Sequence, residues 1–205
     1  MSASPRQAGS ASLAALLVLA LGACGPRTGE PPAPGTTTGF APDLRGSRVL
    51  VLPVQQNRGV RGDPDAELAF GLRERDVTVS WIFPDELEDA LSRSPGARSD
   101  LRGLAVGQFL AAEVERVGDP LYGSLRRLSA LVDADVVLLP VQASLEAEPG
   151  FDPTVRMWTA LVDVRSGFVL WFSVLDGGAY PADDPRGLAS AVDEMARSML
   201  WYAGL

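Results

Sequence analysis

Two short runs constrain the fold of this chain more than anything else in it. Arg48-Val-Leu-Val-Leu-Pro-Val54 and Asp135-Val-Val-Leu-Leu-Pro-Val141 carry apolar residues without alternation. A strand with one wet face alternates, whereas a run like these needs apolar cover on both faces. Such strands lie centrally in a sheet that helices cover, and helix signals fall between them. Asp63-Pro64 offers an N-cap followed by proline at the first helical position, ahead of Leu68, Ala69 and Leu72. Val77, Val79, Trp81 and Phe83 alternate with Thr78 and Ser80 and predict a strand. Pro84 opens a second helix with Leu87, Ala90 and Leu91 inward, ending near Ser94-Pro95-Gly96. Leu125, Leu128, Leu131 and Val132 predict a third.

Further on, Thr154–Val164 and Phe168–Leu175 flank Arg165-Ser166-Gly167, a hairpin turn with Gly supplying positive φ. Asp184 and Pro185 start a last helix whose Leu188, Val192, Met195 and Met199 form a core stripe. Residues 96–121 resist assignment: Phe109, Leu110, Val114 and Val117 fit a helix, while Gly103, Gly107 and Gly118 interrupt it. The order predicts an α/β fold in two or three layers. Its sheet is mixed and mostly central-parallel, of about five strands. An antiparallel hairpin lies toward one edge, and helices pack on the sheet.

Composition removes much chemistry. The chain has 205 residues, net charge −8, one Cys and no His, and all 18 basic residues are Arg. The acidic balance argues against nucleic acid, which needs a basic face. One Cys excludes an internal disulfide and a Cys-rich metal site. Without His, the commonest general base and metal ligand is missing. Without Lys, Schiff-base and P-loop lysine chemistry is out. No cofactor and no metal are implied.

The amino terminus reads as an address. Residues 1–12 are small and polar with one charge at Arg6, and 13–21 form an apolar run too short to span a bilayer. Leu21-Gly22-Ala23-Cys24 resembles the bacterial lipobox. The resemblance implies cleavage before Cys24, diacylglyceryl transfer to its thiol and acylation of the new terminus. Two or three acyl chains anchor firmly where one does not. Gly25 in place of Asp favours, by analogy with lipoprotein sorting, the outer membrane. Residues 1–23 are then a signal peptide. Residues 24–42 are the lipidated Cys and a flexible Pro/Gly/Thr tether, and 43–205 one α/β domain. About 18 tether residues reach ~60 Å extended and ~25 Å relaxed.

The order of elements is similar to the α/β domain of bacterial envelope lipoproteins. That group contains the curli-secretion protein CsgG, the penicillin-binding-protein activator LpoB and the amino-terminal domain of TolB. Leu52-Pro53 matches the family's first-strand ending, and Ala134-Asp135 matches its "gAD". Residues 161–171, LVDVRSGFVLW, match its hairpin. The resemblance implies a non-enzymatic protein that binds or assembles another envelope component, self-assembly included. It implies no catalytic residue. A pore would need amphipathic hairpins of about 10 residues per strand, and 96–121 lacks alternation.

The remaining constellations read locally. Asp63, Asp65, Glu67 and Glu74 mimic calcium-loop spacing, but Leu68 stands where such a loop needs Gly. Helix capping accounts for these acids, and for Asp85, Glu86, Glu88 and Asp89. Trp81, Trp158 and Trp171 read as core, and Arg126-Arg127 as solvated. Trp201 and Tyr202 either dock on the sheet or form part of a partner-binding patch. The expected protein is therefore lipid-anchored at Cys24, outer-membrane and periplasm-facing. Its contact surface is expected at the sheet edge of the 154–175 hairpin or at 96–121. Glycan or small-molecule binding and a carboxylate-based hydrolase are the alternatives.

Overall fold

The computed structural model describes residues 31–94 and 100–202. Cys24 and its flanking Leu21, Gly22 and Ala23 lie outside the described residues. The elements run β1 (Thr37–Gly39), β2 (Arg48–Val51), β3 (Gln56–Arg58), α1 (Pro64–Arg75), β4 (Ser80–Ile82), α2 (Pro84–Ser92), α3 (Gly107–Ala111), α4 (Leu121–Val132), β5 (Val136–Glu146), β6 (Thr154–Asp163), β7 (Val169–Ala179) and α5 (Arg186–Met199). One seven-stranded mixed sheet has the order β1-β7-β6-β5-β2-β4, with β3 also on β5. β2 pairs parallel with both β4 and β5, while β5, β6 and β7 form an antiparallel meander. The α/β class and covered mixed sheet are as expected, but the sheet is mostly antiparallel and not mostly parallel, because the long strands β5, β6 and β7 follow one another through short loops while each parallel pairing spans three residues. The short strands β1 and β3 bring the count to seven.

Both faces are covered, giving three layers. Leu68 and Leu72 of α1 and Leu188, Val192, Met195 and Met199 of α5 pack one face with Val49, Val51, Leu138 and Trp171. Leu87 of α2, Phe109 of α3 and Leu121, Leu125 and Leu128 of α4 pack the other with Leu50, Val137, Leu139 and Phe172. The non-alternating runs at 49–54 and 136–141 are buried for this reason, each feeding both cores in turn.

Local chemistry sets the boundaries. Asp63 Oδ1 accepts the N–H groups of Asp65 (3.0 Å) and Ala66 (3.1 Å), capping α1. Asp65 Oδ1 accepts the Val54 N–H at 2.6 Å, so these acids are structural caps and turns. Asp133 takes a left-handed φ of 53° past α4. Arg48 donates to the carbonyls of Asp133 (2.9 Å) and Val132 (2.7 Å), satisfying that helix end. Pro140 lacks an N–H, and the β5–β6 register shifts between Pro140 and Gln142. There β5 also exchanges its neighbour, from β2 to β3.

Three further expectations are corrected. The tether ends earlier than residue 42. Gly35 N–H donates to Val174 O at 2.7 Å, β1 pairs antiparallel with β7, and Ala41 and Leu44 are buried. Thr-rich Thr37 and Thr38 suit a strand despite their polar setting. Gly39 holds φ +73°, and a Cβ there would lie 2.3 Å from Leu170 O. The strand expected from Val77 begins at Ser80. Asp76 Oδ1 accepts from both the N–H (2.8 Å) and hydroxyl (2.6 Å) of Thr78, bending the chain and leaving Val77 89% exposed. The segment 100–121 is not a free loop. Phe109 is fully buried, Val117 N–H donates to Gly167 O (2.8 Å), and Val169 N–H donates to Glu115 O (2.9 Å).

Candidate functional site

The sheet has two ends to its strand order, and they differ. At β1 the chain enters from the amino terminus and covers the outer edge of β7 from Trp171 to Val174. The stretch Trp171–Val174 of the hairpin edge expected as a contact surface is therefore occupied by the chain itself. At the other end β4 pairs with β2, and among the described residues no strand lies on its other side. Six strands at the usual spacing put β4 ~24 Å from β1.

Along β4 lies an open trough of about 310 Å³, walled by Val77, Val79, Trp81, Phe83 and Arg73, with Asp76 and Glu86 also lining it. The α1–β4 turn builds it. Asp76 ends α1, its backbone carbonyl accepts the Trp81 indole N–H at 3.0 Å, and this fixes the indole against the strand. Arg73, one turn before the end of α1, lies over the Phe83 ring at 4.1 Å. Glu86, in the first turn of α2, reaches back toward the Phe83 N–H at 3.5 Å.

Behind the trough stand Trp201 and Tyr202. The Trp201 indole N–H donates to Ala41 O at 3.0 Å, and the Tyr202 hydroxyl accepts the Leu44 N–H at 3.1 Å. The pair clasps the loop after β1 to the carboxyl end of α5, with Arg45 over the Tyr202 ring and paired to Asp43. That guanidinium holds the Asp43 carboxyl down to about 2. Tyr202 packs on the core, whereas Trp201 stays 60% exposed beside Phe40, which is 94% exposed. Trp171 and Trp158 are buried, and Trp81 half-buried. Arg126 lies over Tyr122, and Arg127 donates to Ser124 Oγ. Sequence reading missed the trough, because nothing in VTVSW says that β4 is an edge.

Burial, with the neighbouring Asp76 carboxylate adding to it, pushes the Tyr202 hydroxyl up to about 12 from 10.0. The folded state therefore holds this proton more tightly than the unfolded chain. Its contribution is complete below pH 10 and is lost as pH rises toward about 12. Tyr202→Phe is expected to flatten the fall of the unfolding midpoint across that window. An unchanged alkaline limb would mean that the clasp does not hold the hydroxyl.

Among the described residues, no three His, Cys, Asp or Glu side chains converge to hold a metal ion. A second, smaller cleft of about 150 Å³ lies near Tyr180, between Val60, Pro153, Pro181 and Leu188.

No protein-family model matches the chain, and no curated protein does. Among solved structures it is similar to the LpoB C-terminal domain from Salmonella enterica, at 20% identity and TM-score 0.41, over 67% of this chain and 84% of that one. It is similar to the PelC dodecamer from Paraburkholderia phytofirmans, at 19% identity and TM-score 0.39, over 81% and 96%. A third is E. coli LpoB, at 18% identity and TM-score 0.40, over 84% and 89%. Likenesses this remote carry neither activity nor partner across to this chain.

Proposed function

We propose that this is a lipid-anchored envelope protein, held at the outer membrane through acyl chains on Cys24 and facing the periplasm. Its α/β domain docks another envelope protein and catalyses no reaction. The observation that carries the reading is the arrangement of the sheet. The chain enters at β1, and the open edge with an apolar trough is β4, on the far side. With the first sheet contact at Gly35, the tether from Cys24 shortens to about 11 residues and a relaxed span of ~18 Å. The domain stays near its membrane and presents the β4 edge away from the anchored one. An exposed strand edge beside apolar side chains suits addition of a partner's extended segment.

The small-molecule alternative has the Tyr180 cleft to offer. At about 150 Å³ it falls short of the ~300–1,000 Å³ usual for a ligand pocket, and the troughs of about 310 and 320 Å³ beside β4 and between Arg48, Glu86 and Leu131 reach only the bottom of that range and lie open to solvent.

Val77→Arg places a charge on the exposed rim of the trough, where no buried contact is lost. In detergent-solubilised membranes the wild type is expected to migrate in a complex larger than the free domain. Val77→Arg is expected to migrate as the free domain, with unchanged abundance. Equal migration of the two proteins would contradict docking at β4.

A further inference from the structure

We propose that β1 is a releasable end of the tether: it parts from β7 as a unit, and the Trp201–Tyr202 clasp stops the parting at Ala41. The tether then has two lengths, and the longer one carries the β4 edge farther from the membrane. That consequence rests on the anchoring and docking reading above, whereas the parting itself does not.

The amino-terminal segment crosses the domain. It enters at β1, at one end of the strand order, and reaches β2 four places away. At the usual strand spacing that is ~19 Å, covered by residues 40–47 as they pass the carboxyl end of α5. The first half of this segment is held almost wholly through its backbone. Gly35 N–H donates to Val174 O (2.7 Å), Val174 N–H donates to Thr36 O (2.9 Å), and Thr37–Gly39 pair with Trp171–Ser173. Of residues 31–40 only Pro32 is buried, and Phe40 is 94% exposed. Backbone hydrogen bonds that water can replace contribute little on balance, and ordering each residue costs entropy.

The second half is held by side chains as well. Ala41 and Leu44 are buried in the core of α1 and α5. Trp201 donates to Ala41 O, and Leu44 N–H donates to the Tyr202 hydroxyl. Gly46 N–H donates to Thr78 O (3.1 Å) and Ser80 N–H to Ser47 O (3.0 Å), tying the segment to the α1–β4 turn. Burial therefore changes between Phe40 and Ala41, and that step is where the parting stops. The parted β7 edge keeps its apolar side chains covered, since Trp171 and Phe172 lie in the two cores beneath the helices. Parting then exposes backbone groups, which water satisfies, and little apolar surface. Released to Ala41, the tether grows from about 11 residues, Cys24 to Gly35, to about 17, Cys24 to Ala41. Its extended reach rises from ~37 to ~58 Å.

The test is hydrogen exchange on the full chain in lipid nanodiscs, read by mass spectrometry to single amides and corrected for intrinsic rates. Gly35 and Val174, whose N–H groups bond across the β1–β7 seam, are expected to exchange at one common rate. That rate is expected to be at least about tenfold faster than those of Leu44, Gly46 and Ser80. Thr37→Cys with Ser173→Cys, opposite each other in the register, places a disulfide across the seam. The closed pair is expected to slow both seam amides to the rate of Gly46, and reductant to restore them. Equal protection of Gly35, Val174 and Gly46 in the wild type would overturn the proposal, as would one common rate from Gly35 through Gly46. In membranes the locked pair is expected to lose most of the complex that Thr37→Cys alone retains, and equal yields would overturn the role in reach. The two readings fail separately. If the two rates appear while Val77→Arg leaves the membrane complex whole, the releasable end stands and docking at β4 falls. If Val77→Arg abolishes the complex while residues 35–47 exchange together, docking stands and the releasable end falls.

Discussion

Phe109→Ala is expected to cost about 3–5 kcal/mol of folding stability, the range for removing a buried aromatic side chain. Phe109 is fully buried, stacks on Phe172 at 5.8 Å and 26°, and through it meets Trp158 at 6.4 Å and 65°. Helix α3 has five residues and little hydrogen bonding of its own, so its hold on the sheet rests on burial, of which Phe109 is the largest part beside Leu101, Val106 and Val117. A domain of ordinary stability has about 5–15 kcal/mol in all, so the loss is a large share. Urea denaturation should show a lower midpoint with little change in slope. Limited trypsin digestion should show faster cutting at Arg102 and Arg116. An unchanged midpoint with unchanged cleavage would mean that residues 100–117 do not belong to the core.

Cys24→Ser is expected to abolish lipid labelling and to release the protein from the membrane fraction. The acidic domain is repelled by anionic headgroups, and among the described residues no helix is long and apolar enough to cross a membrane. Each buried acyl methylene contributes about 0.8 kcal/mol, so two or three chains hold the protein where none would. Fractionation in high salt with metabolic fatty-acid labelling checks this. Tight, salt-resistant association of Cys24→Ser would contradict lipidation as the anchor.

What the sequence disclosed followed from periodicity and capping. The unbroken apolar runs announced central strands because helices cover both faces, as Val49 and Leu50 show by entering opposite cores. Asp63-Pro64 announced α1, and Gly167 the hairpin turn, because those positions demand particular side-chain chemistry or positive φ. Strand β1 was hidden, since Thr37-Thr38-Gly39 reads as tether until β7 offers its open edge. The packed segment around α3 was hidden because Leu101, Val106, Phe109 and Val117 meet the sheet at long range and at irregular spacing, contacts with no local signature. The trough was hidden for a related reason. Val77, Trp81 and Phe83 fit an ordinary strand, and the trough arises only when α1 stops at Asp76 and the chain bends.

The same hidden edge carries the functional claim, and it can be probed where the protein works. The chain has no lysine, so amine-directed cross-linkers find no side chain to attack. Photo-reactive residues placed singly at Val77, on the trough, and at Phe151, exposed on the β5–β6 loop, avoid that difficulty. Both would be borne by the full chain with Cys24 intact, illuminated in cells, and the adducts sequenced by mass spectrometry. The account predicts one saturable adduct with an envelope protein from position 77 and none with that protein from position 151. No protein adduct at position 77, or the same adducts in equal yield from both positions, would contradict docking at the β4 edge.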